Sequence, residues 1–98
     1  MKAHGFHRLA REEFLAAVAH YTEQSPALGG RCYDELQQVV REICRMPTLF
    51  RVFDPPCRRH FGDTFPYAVI YLIEPDGVWI VAVAGLRKKP EYWKYRLG

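Results

Sequence analysis

Basic side chains crowd the second half of the sequence, and they carry its clearest chemistry. One pair and one C-terminal cluster contain most of them: Arg58, Arg59, Arg87, Lys88, Lys89, Lys94 and Arg96. The net charge is +3 and the isoelectric point is near 8.9. Cations placed in this way attract anionic partners such as nucleic acid, a ribosome or an acidic protein. The alternative is a solvated rim that keeps the protein soluble, and charge alone favours neither interpretation.

Aromatic residues interleave with the cations in the C-terminal segment, residues 87–96. Cations can meet phosphates there while Tyr92 and Trp93 stack on bases. The more ordinary interpretation is that both rings pack onto the rest of the domain as buried anchors. Physical chemistry by itself favours packing.

Histidines and cysteines show no metal-site or redox spacing. The four histidines are scattered and the three cysteines form no CxxC pair, so we expect no metal, no cofactor and no disulfide framework. Cys32 falls on a helical apolar stripe and is predicted to be a core thiol, whereas Cys44 falls off that stripe.

The N-terminal half predicts two amphipathic helices. Apolar residues recur at helical spacing between residues 9 and 24, which puts Glu13 toward water. A tight connection over residues 27–30 leads to a second helix that begins at Leu28 or Arg31 and ends at Arg45. So short a connection predicts an antiparallel helical hairpin.

The remaining elements are predicted strands. Residues 1–7 could form an edge strand, residues 54–56 a loop and residues 57–61 a short strand. Residues 67–74 and 78–86 are rich in β-branched and aromatic side chains, and Pro75-Asp76-Gly77 between them suits a hairpin turn. The sequence therefore predicts one α+β domain over residues 1–98, a helical hairpin packed on a small antiparallel sheet.

Both faces of the predicted hairpin are apolar, although helices can cover only one. Strict alternation puts Trp79, Val81 and Val83 on one face of the second strand. It puts a second set on the other: Val78, Ile80, Ala82 and Ala84. Either the C-terminal segment folds back over the free face or a partner covers it.

The chain has no apolar run of the roughly 20 residues that a membrane helix needs. Its first residues lead into no apolar region typical of a signal peptide. We therefore expect a cytoplasmic protein with no membrane contact.

Four segments resemble the RelE/ParE superfamily of bacterial toxins, nearer its ParE-like branch. Residues 6–17 are similar to its opening strand and first helix, and residues 25–29 to its turn into the second. Phe65-Pro66-Tyr67, followed by Tyr71, resembles a family strand. Residues 82–97 resemble its closing segment, where Ala-Val-Ala runs into basic residues, Pro-x-Tyr-Trp and a late Arg.

This resemblance implies a growth-inhibiting toxin that is neutralised by a tightly bound acidic, ParD-like antitoxin. The antitoxin would wrap a segment over the toxin and so explain the second apolar face. Candidate antitoxin-binding residues are Tyr67, Val69, Tyr71, Trp79, Val81 and Val83.

Two activities diverge within the family. ParE-like members inhibit DNA gyrase by binding, and RelE-like members cleave mRNA in the ribosome, which requires groups that move a proton and stabilise a phosphate. Many members have a His where this chain has Gly85, so we favour gyrase inhibition without chemistry. The alternatives are a ribosome-dependent mRNA endonuclease and a degenerate toxin that retains only antitoxin binding. The candidate target-binding residues are Arg58, Arg59, His60, Arg87, Lys88, Tyr92, Trp93 and Arg96.

Overall fold

The computed structural model describes residues 3–89 and 91–97, which form two helices packed on a five-stranded sheet. The elements in chain order are β1 (His4–Phe6), α1 (Arg8–Gln24), α2 (Pro26–Arg45), β2 (Val52–Asp54), β3 (Cys57–Phe61), β4 (Tyr67–Glu74), β5 (Gly77–Gly85) and a 3-10 turn (Lys94–Leu97). The strand order is β1-β5-β4-β3-β2. The predicted α+β helical hairpin on a small sheet is confirmed.

The sheet is mixed, because β1 runs parallel to β5 while the other neighbours pair antiparallel. The segment predicted as a possible edge strand is therefore a strand from His4 to Phe6; Met1 and Lys2 lie outside the described residues. A second edge strand, β2, was not predicted. It covers the three residues that lead into the Pro55-Pro56 turn.

A single residue, Ser25, separates the two helices. Its hydroxyl accepts a hydrogen bond from the backbone N–H of Leu28, and Pro26 occupies the first turn of α2. Ser at the N-cap and Pro just inside the helix are strong start signals. The prediction of a connection over residues 27–30 was therefore wrong, since these residues form the first turn of α2.

The helices cross closely at Gly29. A Cβ atom there would lie 2.8 Å from the Cα of Thr22, so only glycine permits this approach of the two backbones. The buried stripe of α2 is also wider than predicted, because Cys44 is only 2% exposed and belongs to the core with Cys32.

A β-bulge in β5 changes the predicted alternation of faces. Ile70 pairs with Ala82 but Tyr71 pairs with Ile80, so Val81 is an extra residue. An extra residue shifts the side chains that follow it to the opposite face.

The strict face assignment in β5 was consequently wrong beyond Val81. Val83 joins Val78 and Ile80 in the core beneath the helices. The opposite face, here called the far face, carries a second cluster: Cys57, Ile70, Trp79, Val81, Ala82 and Ala84.

The C-terminal residues fold back over part of the far face. Trp93 is 2% exposed and packs in the far-face cluster, with its ring centroid 5.7 Å from that of Phe53. The ordinary interpretation of the aromatic tail is confirmed for Trp93. A partner is therefore not required to cover this region of the sheet.

Candidate functional site

The predicted basic residues of β3 divide between the two faces of the sheet. Arg58 pairs with Tyr71 and His60 pairs with Val69, which places both on the helix face. Arg59 pairs with Ile70 and so lies on the far face. The three neighbours in sequence therefore cannot act on one ligand as a single cluster.

Arg58 and His60 are engaged in contacts that support the fold. The Arg58 guanidinium donates to the backbone carbonyls of Phe50 and Thr48, at 2.8 and 3.3 Å. The His60 ring stacks on Phe50 at 3.7 Å between centroids, and its Nε2 lies 2.7 Å from Glu42 Oε1. This hydrogen bond to His60 is the main cause of the lowered pKa of Glu42.

Residues 91–97, here called the strap, connect the end of the chain to α1. The Arg96 guanidinium forms a bidentate ion pair with Glu13, with Nη1–Oε1 and Nη2–Oε2 distances of 2.9 and 3.0 Å. The Tyr92 hydroxyl donates to the same carboxylate at 2.7 Å. The Lys94 ammonium of the strap lies 3.1 Å from the carboxylate of Asp54. The strap is thus tied to α1 through Glu13 and to the end of β2 through Asp54.

The same ion pair satisfies backbone groups of β5 around the bulge, on the edge of the strand beyond its last pair with β1, Phe6–Ile80. The N–H of Val83 donates to Glu13 Oε1 at 3.0 Å, and the carbonyl of Val81 accepts from Arg96 at 3.1 Å. Unpaired backbone groups at a sheet edge are costly to bury. We call this set of interactions the Glu13–Arg96 clamp.

Burial and hydrogen bonding oppose each other at the Glu13 carboxylate. Burial, the largest single influence, raises its pKa, but hydrogen bonds from Arg96, Tyr92 and the Val83 backbone lower it more in sum. The Tyr92 phenol has a strongly raised pKa because of burial and its hydrogen bond to Glu13. Because its pKa is raised, this phenol stays protonated at neutral pH and is a poor proton acceptor there.

Sequence reasoning missed Glu13, which it placed in water. Only 23% of this side chain is exposed, and just 5% of its partner Arg96. Glu13 lies directly before Phe14 of the buried stripe, but nothing local indicates a partner 83 positions later in the chain.

Two grooves flank the exposed basic residues 87–89, which follow β5. The first, here called the sheet groove, lies on the far face and has a volume of about 330 Å³. Ala68, Ile70 and Ala84 line it beneath the cations Arg59, Lys88 and Lys89. Tyr92 and Trp93 of the strap also line it. The structure therefore brings together four of the predicted site residues: Arg59, Lys88, Tyr92 and Trp93.

The second groove, here called the helix groove, lies between α1 and the ends of β4 and β5. Its volume is about 750 Å³. Ala16, Tyr21 and Tyr67 are among its lining residues, and His20 and Arg87 also border it. Lys88 and Leu86 line both grooves. A ligand in the helix groove would therefore contact residues that also shape the sheet groove.

The predicted antitoxin-binding residues do not share one surface. Val69, Tyr71 and Val83 are buried in the core beneath the helices, and Val81 is fully buried in the far-face cluster. Tyr67 and Trp79 are half-buried on opposite faces. Of the six residues, only these two have side-chain surface that a partner could contact. The accessible surface of Tyr67 lies in the helix groove.

Gly85 lies where both grooves meet. A Cβ atom there would be 3.8 Å from Lys88 Cγ and 3.8 Å from Tyr67 Cε1, an ordinary contact distance. Packing therefore does not require glycine at this position. The chain simply presents no side chain there that could take part in chemistry.

Within residues 3–89 and 91–97, no three His, Cys, Asp or Glu side chains come together in a metal-binding arrangement. All three cysteines are free and buried. Burial raises the pKa of Cys32 and of Cys57 to about 11. Neither helix of the described chain is long and apolar enough to cross a membrane.

The fold, two helices packed on a five-stranded sheet, has a counterpart among solved structures. A solved structure described as the chromosomal ParDE TA system from P. aeruginosa superposes with a TM-score of 0.76 at 13% sequence identity, covering 89% of this chain and 98% of that chain. The model of the family described as ParE toxin of type II toxin-antitoxin system, parDE, matches residues 5–97. The chain belongs to this ParE toxin family. No curated protein matches the sequence.

Proposed function

We propose that this ParE-family toxin arrests growth by binding DNA gyrase, and that it does so without performing chemistry itself. The observation that carries the proposal is the exposed basic segment Arg87–Lys89 at the end of β5, whose Lys88 ammonium lies 5.9 Å from the centre of the clamped Tyr92 ring. Exposed cations on a fixed support suit docking on an acidic protein surface.

The state of the other candidate groups supports binding over catalysis. Arg96 is held in the clamp, Tyr92 donates to Glu13, and His60 lies on the opposite face from Arg59. A ribonuclease needs a proton acceptor and a phosphate-stabilising cation that converge on one ligand. For these reasons we rank the mRNA endonuclease below the gyrase inhibitor.

The proposed regulator is an acidic antitoxin that lays an apolar face into the helix groove. Ala16, Tyr21 and Tyr67 supply apolar surface there, and His20 and Arg87 border it. A helix laid into such a groove is a common mode of recognition. Because Leu86 and Lys88 line both grooves, an antitoxin bound here would also hinder access to the basic segment.

Growth arrest after induction in bacteria tests this function. We expect DNA synthesis to fall before protein synthesis in cells that express the protein, and Arg87→Ala/Lys88→Ala to abolish the arrest. Arg31→Ala/Arg45→Ala, which removes two exposed cations of α2, is the matched control.

An early loss of protein synthesis would instead identify the mRNA endonuclease. Folded protein that affects neither process would identify a degenerate toxin. Unchanged arrest in Arg87→Ala/Lys88→Ala would reject the proposed docking segment.

A further inference from the structure

The sheet groove carries net positive charge, although two carboxylates also line it. Asp54 and Glu91 both approach Lys94 of the strap, at 3.1 and 3.4 Å. The single charge of Lys94 offsets one of these two negative charges. The three cations over the groove, Arg59, Lys88 and Lys89, outweigh the negative charge that remains and therefore attract an anion.

Two of these cations stand over aromatic rings at different sides of the groove. The Arg59 guanidinium lies 4.8 Å from the centre of the Phe53 ring, and the Lys88 ammonium lies 5.9 Å from that of Tyr92. The rings support the positions of the two charges. Successive anionic groups can consequently be bound on both sides of an apolar floor.

The floor between the cations is formed by small side chains. Ala68 and Ala84 are adjacent across β4 and β5, and both are nearly buried. Phe61 pairs with Ala68 in β3, so it lies on the same face, and it is 48% exposed. Phe61 is therefore a neighbour of the groove, next to the lining residue Ala68, and does not itself line it. An exposed ring at this position is a suitable stacking surface for a planar base of a strand that extends beyond the groove.

We propose that the sheet groove binds single-stranded nucleic acid, with Arg59, Lys88 and Lys89 on its phosphates and Phe61 against a base. Cations beside a stacking ring on a sheet are the features by which proteins hold single strands. An acidic peptide would use the cations equally well, but it would make no use of a flat floor beside Phe61. The inference needs no gyrase and stands apart from the proposed function.

Fluorescence anisotropy with a labelled oligodeoxythymidine and purified protein, in the absence of gyrase, tests the inference. With three phosphate contacts, we expect affinity to fall about 20-fold between about 50 and 200 mM salt. Arg59→Ala should weaken binding and reduce the salt slope by about 0.7. Phe61→Ala should weaken binding roughly 5- to 150-fold with the salt slope unchanged.

Arg31→Ala is the matched control, since it removes an exposed cation of α2, which packs on the opposite face of the sheet from the groove. An equal loss of affinity in this variant would mean diffuse charge attraction and would overturn the inference. Displacement of the oligonucleotide by polyglutamate as effectively as by unlabelled oligonucleotide would show a peptide site instead. Circular dichroism of each variant confirms that it is folded.

Discussion

The carboxylate of Glu13 and the guanidinium of Arg96 form a bidentate ion pair, at 2.9 and 3.0 Å, that joins the first helix to the last turn of the chain. The same two side chains also hydrogen-bond the backbone N–H of Val83 and the carbonyl of Val81, beside the bulge in β5. The clamp thereby fixes Tyr92 and Trp93 of the strap, which line the sheet groove.

Replacing Glu13 tests how much the clamp contributes to stability. Glu13→Gln leaves the Arg96 charge without a partner, so we expect the free energy of unfolding to fall by about 2–4 kcal/mol, slightly less than for a fully buried pair. Urea denaturation followed by circular dichroism measures this change. The control is Glu12→Gln, whose exposed pair with Arg8 should contribute at most about 1 kcal/mol. An equal decrease in the free energy of unfolding in both variants would contradict a stabilising role of the clamp.

Acid should release the clamp. The folded-state pKa of Glu13 is below its ordinary value of 4.5. A carboxylate with a lowered pKa stabilises the fold fully above its ordinary pKa, and this stabilisation is lost as the pH falls through the folded-state pKa. Urea titrations below about pH 5 should show stability decreasing. Glu13→Gln should show a shallower decrease, and an unchanged slope would exclude Glu13 as its source.

Trp93→Ala tests whether the strap covers the far face. Loss of this buried ring should cost about 3–5 kcal/mol and increase the binding of a hydrophobic dye, whereas the intact protein should bind little. Tyr95→Ala removes a strap ring that is 69% exposed and touches only the Arg96 side of the clamp, so it should change both measurements much less than Trp93→Ala. Strong dye binding by the intact protein would mean that the far face is open and available to a partner.

A charge in the helix groove should weaken the antitoxin and spare the fold. Ala16→Glu puts a carboxylate among the lining residues of this groove, and we expect affinity for the antitoxin to fall roughly 5- to 30-fold, about 1–2 kcal/mol. Ala19→Glu is the matched control, since Ala19 is exposed on α1 and is not among the lining residues. Titration calorimetry measures the affinity of each variant for the antitoxin. Equal affinities of the two variants would mean that the antitoxin binds outside the helix groove.

Local signals in the sequence account for the elements that were predicted well. The apolar stripe of α1 and the Pro75-Asp76-Gly77 turn depend on neighbouring residues only, and β4 and β5 flank that turn as expected. The second helix was predicted to start too late because Gly29 and Gly30 look like a connection. The role of Gly29 in the close approach to α1 becomes visible only when both helices are present.

The site was harder to predict because it depends on contacts between distant parts of the chain. One extra residue in β5 moves Val83 to the core, and strict alternation cannot anticipate it. The charges of the C-terminal segment were identified correctly. The sequence could not show, however, that Arg96 forms an ion pair with Glu13 while Lys88 stays exposed.

A DNA supercoiling assay with purified gyrase, relaxed plasmid and ATP tests the proposed target most directly. We expect the protein to inhibit supercoiling or trap cleaved DNA, the cognate antitoxin to reverse the effect, and Arg87→Ala/Lys88→Ala to lose it while remaining folded. Full supercoiling activity in the presence of excess folded protein would contradict gyrase inhibition and shift the assignment to mRNA cleavage on ribosomes.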